Sequence, residues 1–485
     1  MSIASFEPST LLIVLPEILL LVLAGVILVV GLTSQRSRGL LLAWLTALGL
    51  TGILIITLLY GRPGENEVLI FGGMLRHDWM AFSFKVLFLF AAAMTALLSI
   101  DVEGVEDRGE YFALLVVATL GMSLMAASAD MIMLFLAIEL TSIPLYILAG
   151  FMKGDDKSTE AGLKYFLFGA LTSAVMLYGF SLLYGFSGDT NIYRLSEAMH
   201  AGAVSPWMIG GMAVLVLVGF SFKISAVPFH FWAPDVYEGA PTPITSFIST
   251  ASKAAGFAVL LRFMLAVFPA IEAEWATLLA IVATVTMTIG NLLALAQTNI
   301  KRLLAYSSIA HAGYAMIGLV ALSSFGTASV IFYLIGYVVT NIAAFAVVIL
   351  FARSAGSDEI VDYAGMSRRS PWLALVLLVA LLSLGGMPPL AGFVAKFYVF
   401  AAAVESGWIW LAFVGVLNAI IGLYYYMTVL KVVYLYRSED ENKPIAIPRS
   451  YALVLVICVI AILAIGTLSA PWLDWSINSA LSLFK

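Results

Sequence analysis

Five lysines and one glutamate lie inside apolar stretches of this sequence, and they are Lys85, Lys164, Lys223, Lys253, Lys396 and Glu139. Placing an ionisable side chain in the hydrocarbon of a bilayer costs roughly 2.5–3.5 kcal/mol on insertion scales. Amines and carboxylates bind and release protons, and their proton affinities depend strongly on burial and on neighbouring charges. A chain that accepts this cost repeatedly is expected to move charge across a membrane.

The composition indicates an integral membrane protein. Of the 485 residues, 62% are hydrophobic and only 11% are charged, with a mean hydropathy of +1.05. A soluble domain carries about 25% charged residues, so this balance excludes one. Apolar runs of about 20 residues follow one another from end to end, which is typical of membrane-spanning helices. We therefore predict a single integral membrane domain over 1–485 that lies in a lipid bilayer and binds no nucleic acid.

The apolar runs predict an all-α polytopic membrane protein with about fourteen transmembrane helices. The predicted spans are 11–32, 39–60, 79–100, 110–128, 130–151, 159–184, 206–230, 242–268, 273–296, 302–322, 326–353, 371–403, 408–436 and 449–470. The twelfth is too long for one straight helix and contains Pro388 and Pro389, so we predict two half-helices around a break. The seventh is also expected to break, because Pro228 follows Lys223 by five residues.

Interrupted helices five spans apart indicate an internal repeat. We predict two inverted five-helix repeats, with helices 4–8 in 106–270 and helices 9–13 in 271–436. Helices 1–3 in 1–105 would precede them, and helix 14 with a tail in 437–485 would follow. Fourteen lysines and arginines fall in loops after odd-numbered spans and four on the opposite side. The positive-inside rule then places both termini on the periplasmic side.

The adjacent fifth and sixth spans carry Glu139 and Lys164 at depths that differ by roughly 7 Å, which a lysine side chain could largely bridge. They are expected to form an ion pair that either joins the helices or tunes a proton site. Lys223 and Lys253 lie near mid-membrane and suit sites that load and release a proton, and Lys396 occupies a similar place in the twelfth span. The alternative for these three lysines is structural, with snorkelling to the interface for the first two.

Histidines offer proton relays, because imidazole titrates near neutral pH. His230 and His311 are the candidates, although a lone histidine on a helix is more often a hydrogen-bonded packing residue. His77 and His200 are predicted to lie in loops and to be inert. Lys85 and Arg262 lie near span ends, where snorkelling explains them.

The sequence gives no indication of a bound cofactor. Histidine spacing typical of metal or haem ligation is missing, as is a phosphate-binding glycine motif. The single cysteine, Cys458, is predicted to be a packing residue. We therefore expect this chain to bind neither metal nor cofactor.

Three long motifs resemble the antiporter-like membrane subunits of respiratory complex I. Residues 223–243 (KISAVPFHFWAPDVYEGAPTP) with the following Ser-Lys-Ala-Ala-Gly at 252–256 resemble their seventh and eighth helices. Residues 299–314 (NIKRLLAYSSIAHAGY) resemble the tenth helix, and residues 385–398 (GGMPPLAGFVAKFY) the twelfth. The resemblance covers nearly the whole chain and is greatest for N-type subunits, because M-type subunits usually carry glutamate where Lys396 stands.

The resemblance implies proton translocation within NADH:quinone oxidoreductase. It implies that Glu139 and Lys164 form a charged pair, that Lys223 and Lys253 lie mid-path, and that Lys396 lies toward the outlet. NADH, FMN, Fe–S clusters and quinone would then be bound by partner subunits. Expected partners are the M-type subunit and small membrane subunits, in a bacterial inner membrane. Two alternatives remain open: an Mrp-type Na⁺/H⁺ antiporter subunit, and a subunit whose buried charges only hold helices together.

Overall fold

The computed structural model describes residues 8–33, 39–64, 67–105, 107–200 and 204–484. Most of these residues are helical. A short antiparallel hairpin, β1 (Val68–Ile70) and β2 (Leu75–His77), pairs Val68 with His77 ahead of the third span. The hairpin was not predicted, because three-residue strands leave no alternating pattern in the sequence.

The helices of the first half are α1 (Pro8–Ile13), α2 (Leu15–Thr33), α3 (Gly39–Tyr60), α4 (Trp79–Leu98), α5 (Gly109–Ala127), α6 (Met131–Ala149), α7 (Asp156–Ser187), α8 (Ile192–His200), α9 (Pro206–Ile224), α10 (Trp232–Gly239), α11 (Thr242–Phe247) and α12 (Lys253–Val267). Those of the second half are α13 (Glu272–Leu295), α14 (Ile300–Val320), α15 (Ser324–Ala355), α16 (Met366–Arg369), α17 (Pro371–Gly385), α18 (Ala391–Glu405), α19 (Ile409–Leu435), α20 (Arg449–Thr467) and α21 (Ser469–Leu481). A π-helix (Ile248–Ser252) joins α11 to α12, and 3-10 turns lie at Phe71–Gly73, Pro269–Ile271 and Ile360–Tyr363.

The predicted fourteen spans are confirmed. Thirteen helical segments of the described chain are long and apolar enough to cross a membrane, and the pair α17 and α18 forms the remaining, interrupted one. Long apolar helices satisfy all of their backbone hydrogen bonds internally, which hydrocarbon requires. The protein is therefore a multi-pass membrane protein.

Both predicted breaks are present. Helix α9 ends at Ile224, and Ser225 adopts a left-handed conformation (φ 58°) before α10 begins at Trp232. Helix α17 ends at Gly385, with Gly386 left-handed at φ 87°, and α18 begins at Ala391. Glycine reaches positive φ without steric cost, which suits it to the second break. Irregular backbone at membrane depth is tolerated where it is buried in protein or lines a water-filled cavity. In this chain Ser225 and Ala226 are buried, whereas Met387, Pro388 and Pro389 are exposed.

The most deeply buried helices are α14 and α15, which form the centre of the bundle. Helix α15 runs for 32 residues and packs against both halves of the second broken helix and against α20 and α21. Helices α3, α7 and α19 instead expose apolar side chains on one side, as helices facing lipid do. The candidate proton sites lie around α14.

The C-terminal segment departs from the predicted tail. Helix α21 follows α20 directly and packs against α4 and α15. The sequence of α21 mixes small, polar and tryptophan residues. It is too polar to be predicted as a membrane-spanning helix. Residues 1–7 and Lys485 lie outside the described residues, and the predicted repeat boundaries at 105, 270 and 436 remain predictions.

Candidate proton-transfer site

Lys223 lies at the end of the first half of the seventh span, one residue before the last residue of α9. Its side chain is buried, and its amine has no hydrogen-bond partner among the described residues. The break beside it is held to α13, since the main-chain N–H of Val227 donates to Thr286 Oγ1 at 3.1 Å. A buried amine without an acceptor is costly as a cation, which suits a group that is charged only part of the time.

Lys253 follows the π-helix directly and lies at the start of α12. Widened π-turns are frequent at functional sites. The buried amine of Lys253 donates to the main-chain carbonyl of Ser308 on α14, at 2.8 Å. An ideal Cβ at Gly256 would lie 3.1 Å from Lys223 Cβ. Since Gly256 follows Lys253 by three residues on the same helix face, the two lysines lie on neighbouring parts of the α9–α12 contact.

Hydroxyl groups cluster around Ser308. Tyr337 of α15 donates to Ser308 Oγ at 2.7 Å, and the Tyr237 hydroxyl of α10 lies 3.2 Å from the same atom. All three side chains are buried. Hydroxyls both donate and accept, so this cluster provides proton-carrying groups beside Lys253.

His311 lies one helical turn beyond Ser308 on α14. The Tyr333 hydroxyl is 2.6 Å from His311 Nδ1, and the Tyr426 hydroxyl is 3.4 Å from Nε2. Tyr426 is also hydrogen-bonded to Ser307. Both ring nitrogens therefore face hydroxyls, an arrangement that permits a proton to arrive at one nitrogen and leave from the other.

Lys396 lies in the second half of the broken twelfth span. Its amine donates to the carbonyls of Leu384 at 2.8 Å and Gly385 at 3.2 Å, which are left free where α17 ends. The same amine lies 4.9 Å from the centroid of the Tyr314 ring. The break thus supplies Lys396 with neutral oxygens and an aromatic face in place of a carboxylate.

The predicted pairing of Glu139 with Lys164 is not what the structure shows. Lys164 Nζ lies 2.5 Å from Asp235 and 2.6 Å from Glu160, whereas Glu139 accepts a hydrogen bond from Ser173 at 2.7 Å. Helix α7 begins at Asp156, so Lys164 is only about two turns from the N-terminus of this helix. Its long side chain extends toward that N-terminus. There it meets α10, whose position the sequence did not reveal.

The carboxylate of Glu139 lies within electrostatic range of the Lys223 amine, although among the described residues no hydrogen bond or ion pair joins them. It is partly buried on α6, and its Ser173 partner lies on α7. Opposite charges favour each other's ionised form. The glutamate is therefore placed to influence the lysine at the first break.

An ion network that was not predicted from the sequence lies near the start of α7. Arg302 of α14 lies 2.8 Å from Asp235 and 2.9 Å from Glu238, and Lys157 lies 2.7 Å from Glu238. Burial would raise the pKa of Asp235 and of Glu238, but hydrogen bonds from these basic groups hold both pKa values below the ordinary range. One feature of the sequence does indicate this network: Asp235 and Glu238 are three residues apart, which places both carboxylates on one face of a helix.

His230 is not joined to the other groups. It lies in the first break, buried, and its Nδ1 has no hydrogen-bond partner among the described residues. Its ring centroid is 4.4 Å from that of Phe231. Its hydrogen bond is to the backbone of Pro228 in the same break, and among the described residues no hydrogen bond joins it to the lysines.

Snorkelling was the wrong explanation for Lys85 and Arg262. Lys85 is buried and pairs with Glu17 at 2.6 Å. Arg262 is 2% exposed and donates to both carboxylate oxygens of Asp78, at 2.8 and 2.9 Å. Each basic side chain turns inward because an acid on a neighbouring segment neutralises it.

His77 is also not in a loop: it lies in β2, where burial and the charge of Lys85 lower its pKa to about 4. His200 ends α8 rather than lying in a loop. Among the described residues, no three His, Cys, Asp or Glu side chains form a group that could hold a metal ion. Cys458 is buried in the bundle, as predicted.

Residues 128–422 match the family model described as NADH:quinone oxidoreductase/Mrp antiporter, TM. The chain is 44% identical over 470 residues to NADH-quinone oxidoreductase subunit N of Moorella thermoacetica, spanning 96% of this chain and 98% of that protein. The chain belongs to the subunit N family. The subunit N of Trichlorobacter lovleyi is 42% identical over 477 residues, spanning 97% of each chain.

Solved structures agree with the subunit N assignment. A chain of respiratory complex I from Thermus thermophilus with bound aureothin matches with a TM-score of 0.80 and 35% identity, over 95% of this chain and 98% of that one. The Mrp complex from Dietzia sp. matches with a TM-score of 0.85 over 99% and 98%, but at only 20% identity. The antiporter thus shares the fold alone, and the family resemblance predicted from the motifs is confirmed for subunit N.

Proposed function

We propose that this chain is a proton-translocating membrane subunit of a bacterial NADH:quinone oxidoreductase. It carries no redox centre of its own in this proposal. NADH, FMN, Fe–S clusters and quinone belong to partner subunits, and the energy of electron transfer reaches this chain through neighbouring membrane subunits. Membership of the subunit N family supports the assignment.

The observation that carries the proposal is a contrast between two kinds of buried lysine. Lys85 is neutralised by an acid at 2.6 Å, as expected of a structural ion pair. Among the described residues, Lys253 and Lys396 donate to neutral carbonyl oxygens and to no carboxylate, and Lys223 has no acceptor. An amine that lacks a carboxylate partner adds no ion-pair stability, so its retention calls for another role.

The geometry supports a lateral path from α9 to α18. A proton would pass from Lys223 to Lys253, then by the Ser308 hydroxyl cluster to His311, and on to Lys396. Water molecules would complete the gaps between these side chains. Each group is an amine, a hydroxyl or an imidazole, and all of these bind and release protons.

Glu139 would control loading at Lys223. A shift of this carboxylate toward or away from the lysine raises or lowers the proton affinity of the amine. Lys164 belongs to a different part of the device in this proposal, since it ties α7 to α10 through Asp235. A signal that moves α6 or α7 would alter both contacts together.

The placement of the chain follows from its charges. Both termini would face the periplasm of a bacterial inner membrane, because basic residues concentrate in the opposite loops. The M-type antiporter-like subunit, small membrane subunits and lipid are the proposed neighbours. His230 would contribute to the first break without carrying the proton.

The test is replacement of Lys223 in the native complex, assayed in inverted membrane vesicles. Lys223→Ala and the better volume match Lys223→Met should leave assembly intact and abolish coupled turnover and NADH-driven proton uptake. Lys153→Ala, which removes an exposed lysine, is the control. Assembly with undiminished pumping would contradict the proposal, and loss of assembly at an unchanged proton-to-electron ratio would favour the structural alternative. Sodium-dependent exchange without NADH would instead indicate antiport.

A further inference from the structure

A basic cavity of about 770 Å³ lies where α15, α16 and α19 end. Its polar lining consists of Ser354, Asp362, Arg369, Arg437, Ser438, Asp440 and Lys443. The cavity lies on the side of the bundle where the loops are rich in lysine and arginine. None of the residues in the proton path lines it.

Two arginines give the cavity its chemistry. Arg369 donates to the Lys443 carbonyl and to Ser354 Oγ, both at 3.0 Å, which fixes its guanidinium without neutralising it. Arg437 is exposed, and within the described residues neither arginine forms an ion pair. Unpaired guanidinium groups are well suited to phosphate, because their donors match its oxygens.

The acids of the cavity are already engaged. Asp440 lies 2.6 Å from Lys443, and Asp362 accepts a hydrogen bond from Ser357 at 2.5 Å. Three basic and two acidic side chains line the cavity, which leaves it a net balance of one positive charge. An anion is the complementary ligand.

A mainly apolar groove of about 500 Å³, whose lining includes the charged residue Glu359, adjoins this cavity, and both are lined by Val361, which is 68% exposed. The groove lies between the end of α13 and α19. Along α19 it extends from Tyr424 to Val432, and the cavity begins at Leu435, so together they follow about 16 Å of helix. That is on the order of the length of one acyl chain within a leaflet.

We propose that this paired site binds one anionic phospholipid, with the phosphate at Arg369 and Arg437 and an acyl chain in the groove along α19. The charged cavity alone would suit any phosphate. The adjoining lipid-facing groove favours a phosphate that carries acyl chains. Basic pockets between transmembrane helices on the cytoplasmic side commonly bind anionic headgroups.

The test uses the full chain in nanodiscs, with a fluorophore attached to Val361→Cys. Cys458 is buried and should stay unlabelled. Quenching by phosphatidylglycerol brominated on its acyl chains is compared with quenching by brominated phosphatidylcholine. A preference of about fivefold for the anionic lipid is expected, since one basic side chain near a membrane surface contributes about 1 kcal/mol.

Three variants in the labelled background separate the two parts of the site. Arg437→Gln should reduce the anionic preference about fivefold, whereas Lys153→Gln, the loss of an exposed lysine elsewhere, should leave it unchanged. Thr428→Trp fills the groove from an exposed position and should weaken quenching by the anionic lipid while Arg437 is intact. Equal quenching by the two lipids in the parent chain would overturn the proposal. So would loss of the preference on addition of inorganic phosphate, which would identify a site for free phosphate.

Discussion

The amine of Lys164 lies 2.5 Å from the carboxylate of Asp235, across the gap between α7 and the short helix α10. This contact joins the sixth span to the segment that follows the first break. Glu139 takes no part in this contact. It accepts a hydrogen bond from Ser173 and lies within electrostatic range of Lys223. The two acids thus have separate partners: Asp235 binds Lys164 and Arg302, and Glu139 binds Ser173.

Asp235→Asn should weaken coupling without preventing assembly. The amide keeps the shape of the side chain, and Lys164 and Arg302 retain Glu160 and Glu238 as partners. Hydrogen bonds to charged groups are worth about 1.5–3 kcal/mol, so the balance between network arrangements should shift by about tenfold or more. Proton uptake per NADH oxidised in inverted vesicles is the measurement.

Asp189→Asn is the matched control, because Asp189 forms an exposed pair with Arg194 at 3.4 Å outside this network. The network also carries a pH signature. Since the pKa of Asp235 is lowered from 3.8, its stabilisation is present above that value and is lost as the pH falls through the lower folded-state pKa. A coupling ratio in Asp235→Asn equal to that of the control would exclude a role for the contact.

Tyr333→Phe should slow proton uptake while leaving the complex assembled. The substitution removes the hydroxyl 2.6 Å from His311 Nδ1, whereas the longer contact between Nε2 and Tyr426 remains. Loss of one buried hydrogen bond costs about 1–1.5 kcal/mol, which predicts a rate lower by up to about tenfold. The measurement is NADH-driven uptake over a range of pH, with Tyr178→Phe on the lipid-facing side of α7 as control. An unchanged rate and pH profile would remove Tyr333 from the path.

Arg262→Met should destabilise the fold, not the proton path. It leaves the carboxylate of Asp78 buried with only Arg76, at 3.0 Å, as a charged partner. Removing one member of a buried pair costs about 3–5 kcal/mol, and Arg76 should hold the loss near the lower end. Thermal unfolding of the full chain in detergent measures this, and Asp78→Asn in the same chain should restore part of the stability.

Arg194→Gln provides the comparison for that experiment, because it breaks an exposed ion pair worth at most about 1 kcal/mol. If the two arginine variants unfolded at the same temperature, the buried pair at Asp78 would not be structural. Snorkelling would then again be the better explanation for Arg262.

Much of the fold could be predicted because hydrocarbon imposes simple requirements. Apolar runs of sufficient length gave the fourteen spans, and prolines gave both breaks. Lys223, Lys253 and Lys396 were recognised from depth alone, and the structure places all three in the interior. These features are local in the sequence, so no knowledge of packing was needed.

The partners of those residues could not be predicted, because they depend on how helices far apart in the chain meet. Ser308 is 55 residues from Lys253, and Asp235 is 71 residues from Lys164. Depth along a helix does not reveal which face meets which neighbour. The same limit explains why Lys85 and Arg262 were assigned to the interface when acids from other segments hold them inside.

Gly392→Ala should separate the halves of the second broken helix and so disturb both stability and transport. An ideal Cβ at Gly392 would overlap the carbonyl oxygen of Ser383 and lie 2.7 Å from its carbon, and backbone cannot move aside as a flexible side chain can. Overpacking of this kind costs about 1–3 kcal/mol. Because Lys396 binds the Leu384 carbonyl next to this contact, its amine should be displaced as well.

Gly210→Ala on α9 is the control, since a Cβ there meets nothing within 4 Å and alanine favours the helix by about 1 kcal/mol. We expect the first variant to lower both the unfolding temperature and proton uptake, and the second to lower neither. Equal behaviour of the two would mean that the close approach of α17 and α18 does not position Lys396.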